Sequence, residues 1–200
     1  MVTGVILAAG ASSRMGTQKL LLPLGGEPLV TRTVRQVAEA GFDDVLVVVG
    51  HEHEKVLEAI AGLRCRHAIN PDYATGMGSS FRTAVAELGN SAAAMFALAD
   101  QPFVTASEYR RLLETYLTQP PGQAQSPGIV SVRYGDVTAP PHLFDREFFP
   151  ELAVLEHGAR PVLQRHRDRT VVLQFPPELL LDIDTPEDYE RASARLSAGT

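Results

Sequence analysis

The stretch that decides the fold is "LAAGASSRMGTQKL", residues 7–20, which directly follows the apolar run "VTGVI", residues 2–6. A β-branched run that ends in small residues and glycines is typical of a strand and of the ligand loop at its carboxyl end in an open α/β sheet. Residues 8–13 are all small, so backbone N–H groups can approach phosphate oxygens without an intervening side chain. Arg14 and Lys19 add positive charge, and the stretch therefore predicts a phosphate-binding loop.

Two familiar phosphate loops do not match this stretch. The Walker pattern places four residues between its glycines and a lysine directly after the second, whereas five residues separate Gly10 from Gly16 and Lys19 comes three positions later. The dinucleotide pattern G-x-G-x-x-G is absent. Taken by itself, the stretch leaves open a tight strand-to-helix turn with solvated charges.

The composition predicts one globular domain. The chain has 200 residues, 44% of them hydrophobic, which is enough for a single core. No apolar run reaches the roughly 18 residues of a membrane span. The net charge of −6 argues against a nucleic-acid partner. Cys65 is the only cysteine, which excludes an internal disulfide and predicts a reducing, cytoplasmic location.

The order of apolar and amphipathic segments predicts a single-domain α/β fold, residues 1–200, with a mostly parallel, Rossmann-like sheet flanked by helices. In the first half the predicted strands are 4–7, 44–50, 65–69 and 92–100, and the predicted helices are 29–41, 53–62, 77–88 and 105–117, the last with Thr105 and Glu108 at capping-box spacing. Residues 118–128 predict a surface loop. The second half predicts a strand at 129–136, Pro-rich turns at 138–152, a helix at 158–166, a strand at 170–175 and a helix that begins at Thr185.

The longer string "LAAGASSRMGTQKLLLPLGGEPL" resembles the signature of the molybdenum-cofactor nucleotidyltransferases, MobA-like members of the nucleotide-diphospho-sugar transferase-like superfamily. Their pattern L-A-[AG]-G-x-S-x-R-M-G-x-x-K, followed by G-x-P-L, is met at every specified position. The Ala-Ala-Gly form is similar to the cytidylyl branch. The resemblance implies that the loop wraps a nucleoside triphosphate and that Arg14 and Lys19 act in catalysis. The nucleotide-binding half would be 1–117, and the acceptor-binding half 129–197.

The resemblance extends to "NPDYATGMGSSFRTAV", which matches the family's G-M-x-x-S segment at a predicted helix start. A helix N-terminus favours an anion, but the residues alone indicate only a helix start. The implied nucleotide-binding residues are Leu7, Ala8, Ala9, Gly10, Ser12, Ser13, Arg14, Lys19, Gly76, Met77, Ser79, Ser80 and Asp100.

Asp100 ends the apolar run in "ALADQP", where a buried charge is costly unless it has a partner. Mg²⁺ prefers a few carboxylates plus substrate phosphates, so Asp100 is a candidate magnesium ligand and catalytic residue. The alternative is a turn residue before Pro102. The "DQP" form is again similar to the cytidylyl branch.

Asp182 and Asp184, in "LLLDIDTPEDY", would share one face of an extended chain. Thr185 followed by Pro186 predicts a helix start that ends the strand. The resemblance implies that Asp184 is the second ligand to Mg²⁺ beside Asp100. Asp182 is left out of the predicted site, since an edge-strand carboxylate or a loop ion pair explains it equally well.

Two stretches depart from the family pattern. Residues 139–144, "APPHLF", stand where cytidylyl-branch proteins carry G-[HN]-P, and residues 155–160, "LEHGAR", stand where they carry G-D-x-G-A-R. In the family these stretches face the acceptor. The predicted acceptor-binding residues are Gln101, Pro141, His142, Glu156, Gly158 and Ala159.

The resemblance implies transfer of CMP from CTP to the terminal phosphate of molybdopterin, with release of pyrophosphate. A molybdenum hydroxylase or its chaperone would be the protein partner. The alternatives are a guanylyltransferase, a sugar-phosphate nucleotidyltransferase of the same superfamily, and a catalytically silent nucleotide- or cofactor-binding chaperone.

Overall fold

An eight-stranded sheet with a separate two-stranded hairpin forms the β-structure of the computed structural model, which describes residues 1–12, 14–118 and 127–198. The strands are β1 Val2–Ala8, β2 Pro23–Leu24, β3 Glu27–Pro28, β4 Asp44–Val49, β5 Arg66–Ile69, β6 Ala93–Leu98, β7 Ile129–Tyr134, β8 Val137–Thr138, β9 His142–Asp145 and β10 Thr170–Phe175. The order across the large sheet is β10-β7-β9-β6-β1-β4-β5, with β8 paired to β7.

Helices cover both faces of this sheet. They are α1 Leu29–Glu39, α2 His53–Ala59, α3 Met77–Glu87, α4 Ala106–Leu117, α5 Phe149–Leu152, α6 Arg160–Arg165 and α7 Pro186–Ala198. Within the described residues no helix is long and apolar enough to cross a membrane.

The α/β fold and the mostly parallel sheet are confirmed. β1 pairs in parallel with β4 and with β6, β4 with β5, and β7 with β10. The predicted β-α alternation of the first half is present in full. The backbone N–H of Thr105 donates to Glu108 Oε2 at 3.0 Å, which confirms the capping box at the start of α4. In the predicted loop 118–128, residues 119–126 lie outside the described residues.

The prediction of turns throughout 138–152 is wrong for β9. This four-residue strand lies between β6 and β7 and runs antiparallel to both. Leu143 and Phe144, adjacent in sequence, are both fully buried because the sheet is covered on both faces. A short run that is buried on two faces lacks the alternation by which a strand is recognised, and the neighbouring prolines favoured turns.

The core consists of two apolar layers, one on each face of the sheet. On one face, Val34 and Val37 of α1 and Leu112 of α4 pack against the strands. On the other, Phe81 of α3 stacks on Phe96 of β6 with ring centroids 4.9 Å apart. The central strands β1, β4 and β6 therefore bury both sets of their side chains, and at these strands the sheet is open to ligands only at its ends.

His142 of β9 is the buried imidazole of this sheet, with 6% of its surface exposed. Its Nδ1 lies 3.1 Å from the hydroxyl of Ser131 on β7. Burial lowers the pKa of His142 from 6.5 to about 4, so the ring is neutral at pH 7.

We predict that His142 makes the folded state sensitive to mild acid. Between pH 6.5 and pH 4 the unfolded chain binds a proton at this position that the folded chain does not, so the free energy of unfolding rises with pH in this window. From pH 7 to pH 5 the wild type should lose about 2 kcal/mol more than His142→Gln. Urea unfolding at both pH values measures this difference.

The exposed His67 supplies the control, since His67→Gln removes an imidazole from the surface of β5. This variant should keep the wild-type dependence on pH. Equal losses of stability in the wild type and in His142→Gln would contradict a neutral, buried His142.

Candidate active site

A cavity of about 300 Å³ opens at the carboxyl ends of β1 and β6, where α/β sheets bind ligands. It is bordered by residues from the first loop, from the start of α3, from the ends of the two strands and from the segment before α7. These are Leu7, Ala8, Ala9, Gly10, Ser12, Arg14, Lys19, Leu20, Tyr73, Gly76, Met77, Ser80, Leu98, Asp100 and Asp184. The fold thus gathers most of the predicted nucleotide-binding residues at one site.

The first loop is held in shape by Gln18, whose side chain is buried. Its Nε2 donates to the carbonyl of His51 at 3.0 Å, and its Oε1 accepts from Ser12 Oγ at 2.8 Å. Ser12 Oγ in turn accepts from the backbone N–H of Lys19 at 3.1 Å. These bonds tie Ser12, the backbone of Lys19 and the chain after β4 together, so Lys19 enters the cavity from a hydrogen-bonded backbone.

Two glycines around this loop have different roles. A Cβ on Gly50, at the end of β4, would lie 2.8 Å from the carbonyl oxygen of Ala9, so Gly50 permits close approach of the loop. A Cβ on Gly10 would meet nothing within 4 Å. Packing in the free protein therefore does not require Gly10, and the space beside its backbone belongs to the cavity.

Lys19 joins two carboxylates that are far apart in sequence. Its Nζ donates to Asp100 Oδ2 and to Asp184 Oδ1, at 2.7 Å in each case. Arg14 Nη2 donates to the other oxygen of Asp184 at 2.9 Å. The site therefore holds two cations and two anions side by side.

The carboxylates keep Lys19 charged. Burial alone would lower the pKa of Lys19, but Asp100 and Asp184 outweigh this effect and raise the pKa above its ordinary value. Burial alone would raise the pKa of Asp184, but Lys19 and Arg14 hold it below its ordinary value. Both groups are ionised at neutral pH.

Asp184 owes its position to the start of α7. Asp188 Oδ2 accepts from the backbone N–H of Asp184 at 3.1 Å and from that of Thr185 at 2.8 Å, which confirms the predicted helix start. The expectation that Asp184 ends a strand is wrong. Residues 180–184 form no strand, and a backbone hydrogen bond from Ile183 N to the carbonyl of Asp100 attaches the segment to the chain that follows β6.

The start of α3 is organised by Asn70, a buried side chain after β5. Its Nδ2 lies 2.8 Å from Ser79 Oγ and 3.1 Å from Ser80 Oγ. Ser79 Oγ donates to the carbonyl of Gly76 at 2.7 Å, so this hydroxyl holds the helix start together and does not line the cavity. Ser80 does line it.

The predicted acceptor-binding residues lie in three places. Pro141 and His142 are buried in or beside β9. Glu156, Gly158 and Ala159 lie in the segment that packs on α3: the carbonyl of Glu156 accepts from Gly78 N at 3.2 Å, and Gly158 lies against Met77.

Gln101, the remaining predicted acceptor residue, is buried behind Asp100, and its Nε2 donates to Asp182 Oδ1 at 2.9 Å. The structure therefore gives Asp182 a partner outside the cavity. Ser13, a predicted nucleotide-binding residue, lies outside the described residues.

Sequence reasoning missed Gln18, Asn70 and the apolar wall of Leu20, Tyr73 and Leu98. Tyr73 lies within the quoted segment "NPDYATGMGSS", between two predicted elements. That position is the sequence feature that could have indicated a residue of the cavity wall. Gln18 contacts His51, 33 positions away, and Asn70 contacts hydroxyls of the next helix, and neither contact follows from the periodicity of a single element.

The chain belongs to the MobA-like NTP transferase domain family, whose model matches residues 4–170. It is 32% identical over 163 residues to nicotine blue oxidoreductase of Paenarthrobacter nicotinovorans, covering 81% of this chain and 74% of that protein. It is 32% identical over 208 residues to the purine catabolism protein PucB of Bacillus subtilis, covering 97% of both. Bifunctional GlmU proteins also match, and the chain spans 26% of the length of the one from Syntrophomonas wolfei.

Solved structures agree with this assignment. Rv0371c of Mycobacterium tuberculosis superimposes with a TM-score of 0.83 at 29% identity, over 96% of this chain and 97% of that one. A second structure of Rv0371c, in complex with manganese, gives a TM-score of 0.75 at 28% identity, over 96% of this chain and 98% of that one. The chain is thus a nucleotidyltransferase of the MobA-like family.

The open space beside Gly10 can be tested by substitution. Gly10→Ala should leave the melting temperature unchanged, because its methyl group meets no protein atom within 4 Å. A nucleotide bound against the first loop would meet this methyl group, so affinity for nucleoside triphosphate should fall about tenfold. Thermal unfolding and calorimetric titration measure the two quantities.

Gly78→Ala is the contrasting variant, since its Cβ would lie 2.0 Å from the carbonyl oxygen of Leu155. It should lower the melting temperature. Unchanged nucleotide affinity in Gly10→Ala would show that the nucleotide does not pass beside Gly10.

Proposed function

We propose that this MobA-like NTP transferase transfers CMP from CTP to the terminal phosphate of molybdopterin and releases pyrophosphate. The observation that carries the proposal is the contact of Lys19 with Asp100 and Asp184 at 2.7 Å each, directly below the loop that contains Arg14. Cations and carboxylates at the carboxyl ends of parallel strands are what transfer between phosphates requires.

The transfer exchanges one phosphate bond for another. An oxygen of the acceptor's terminal phosphate attacks the α-phosphorus of CTP, the α–β bridging bond breaks, and its electron pair leaves on pyrophosphate. Positioning and stabilisation of charge are sufficient for this chemistry, so no protein nucleophile is needed. Lys19 and Arg14 would stabilise the negative charge that develops on the leaving oxygens.

The residues present fit a divalent cation. Asp100 Oδ1 is buried and has no hydrogen-bond partner within the described residues, so this oxygen is free to bind a ligand. The described residues contain no cluster of three or more His, Cys, Asp or Glu side chains that could hold a metal ion by themselves.

Mg²⁺ commonly binds through one or two carboxylates plus substrate phosphates, which suits Asp100 and Asp184. A bound Mg²⁺ supplies neutralisation of charge on phosphate oxygens. The manganese complex of Rv0371c supports a divalent cation in this family.

CTP is proposed as the donor on two sequence features. Ala9 gives the Ala-Ala-Gly form of the loop, and Asp100 is followed by Gln101 and Pro102, as in the cytidylyl branch. The apolar side chains of Leu7, Tyr73 and Leu98 supply a surface for a base.

Molybdopterin is proposed as the acceptor, and a molybdenum hydroxylase or its chaperone as the protein that receives the product, in the cytoplasm. A second candidate keeps the reaction and changes the acceptor to another phosphate compound. It is favoured by the stretches 139–144 and 155–160, where the chain departs from the cytidylyl-branch pattern.

Asp100 gives a test of the metal proposal. In Asp100→Asn, CTP binding should lose its dependence on Mg²⁺, because the substitution removes the negative charge that attracts the cation. Calorimetric titration with CTP, with and without Mg²⁺, measures this dependence. Turnover, followed as pyrophosphate release with molybdopterin, should fall by at least about a hundredfold.

Asp182→Asn is the matched control, because Asp182 carries the same charge and contacts Gln101 outside the cavity. It should keep the wild-type dependence on Mg²⁺. An identical Mg²⁺ dependence in Asp100→Asn and in the wild type would remove Asp100 from the metal site.

The donor is tested by titrating the wild-type protein with CTP and with GTP in the presence of Mg²⁺. CTP should bind at least about tenfold more tightly than GTP. A site whose polar groups form hydrogen bonds with one base leaves those groups unpaired when a different base occupies it. A preference for GTP would assign the chain to the guanylyl branch. If neither nucleotide bound, the proposal of nucleotidyl transfer would be wrong.

A further inference from the structure

A second cavity, of about 660 Å³, lies on the face of the sheet that carries α6. We call it the arginine groove and define it by Arg133 of β7, Arg160 of α6 and Arg167, which follows α6. Ser131 and His142, which contact each other, form part of its floor. Asp136 is the one carboxylate among the residues that line it.

The three arginines of the groove lack partners in the part of the chain that the structure describes. Within the described residues, the guanidinium groups of Arg133, Arg160 and Arg167 make no hydrogen bond or ion pair. Of the other arginines, Arg64 is likewise unpaired within the described residues, but most are paired, as Arg66 is with Asp44 at 2.7 Å and Arg169 with Glu147 at 2.7 Å. In a protein of net charge −6, unpaired guanidinium groups gathered around one cavity indicate a site for an anion.

The arginine groove lies beside the active-site cavity. His142 of the groove pairs with Phe96 of β6, and Leu98, two residues further along β6, lines the active-site cavity. Phe96 and Leu98 point to the same face of the sheet, so the two cavities lie on the same face.

One segment borders both cavities. Residues 155–160 contact α3 beside the active-site cavity through Glu156 and Gly158, and end at Arg160 of the groove. A small molecule with one end at Asp100 would therefore extend over this segment towards the arginines.

We propose that the arginine groove binds an anionic group of the acceptor other than the phosphate that receives the nucleotide. This inference rests on the proposed nucleotidyl transfer and adds the chemical class of the acceptor. The acceptor would carry two anionic groups, of which one reacts beside Lys19 and the other is bound by Arg133, Arg160 and Arg167; in molybdopterin the second would be the pair of dithiolene sulfurs. A phosphate compound with no second anionic group would then be a poor acceptor.

Binding is tested first with inorganic phosphate as the probe, on the full ¹⁵N-labelled chain saturated with CTP and Mg²⁺. The Nε–Hε signals of Arg133, Arg160 and Arg167 should shift with one common dissociation constant. Arg133→Gln and Arg167→Gln, both at exposed positions, should weaken that binding about fivefold to tenfold. Arg64 is the matched control, an exposed arginine that does not line the groove.

Shifts no larger than those of Arg64, or shifts that do not saturate, would overturn the anion site. The preceding titration with CTP tests the proposed function separately, because it reports on the signal of Arg14 in the active-site cavity. Failure there, with phosphate still bound in the groove, would reject nucleotidyl transfer without removing the anion site.

Kinetics with molybdopterin as acceptor test the link to the reaction. Arg167→Gln should raise the KM for the acceptor about fivefold to tenfold and change the KM for CTP less than about twofold. Inorganic phosphate should compete with the acceptor in the wild type, and Arg64→Gln should behave as the wild type. If phosphate bound the groove without competing, and KM for the acceptor stayed constant, the acceptor role would be wrong.

Discussion

The rest of the site depends on one constraint: the ammonium of Lys19 must hold two carboxylates close together. Asp100 follows a central strand and Asp184 precedes the last helix, and each lies 2.7 Å from the same nitrogen. Two carboxylates this near would repel each other without a cation between them. Lys19 therefore connects the first loop, the middle of the sheet and the C-terminal helix in one electrostatic cluster.

The backbone around this cluster is fixed by groups that do not touch the cavity. Gln18 holds the first loop, Asp188 holds the chain that carries Asp184, and Asn70 holds the start of α3. Each of them satisfies backbone or hydroxyl groups that would otherwise lack partners near the end of an element. Within the described residues, Asp100 Oδ1 at the cavity has no hydrogen-bond partner, and the space beside Gly10 is open.

The antiparallel strand β9 lies between the strands that border the active-site cavity and the strand that borders the arginine groove. On one side of it, β1 and β6 end at the active-site cavity. On the other side, β7 contributes Arg133 to the arginine groove. Because β9 runs opposite to its neighbours, its N-terminal end and the Pro141–His142 pair lie at the same edge as the carboxyl ends of β6 and β7.

The sequence by itself determined the parallel α/β core, the ligand loop and the charged residues within local motifs. These features follow from patterns a few residues long: an apolar run before small residues, Thr105 with Glu108, or Thr185 before Pro186. Only the tertiary structure decided what depends on distant contacts. It placed Asp184 beside Lys19, 165 residues away in sequence. It also inserted β9 into the sheet and gathered three separate arginines around one groove, because such proximity arises from the packing of whole elements and leaves no periodic trace in the chain.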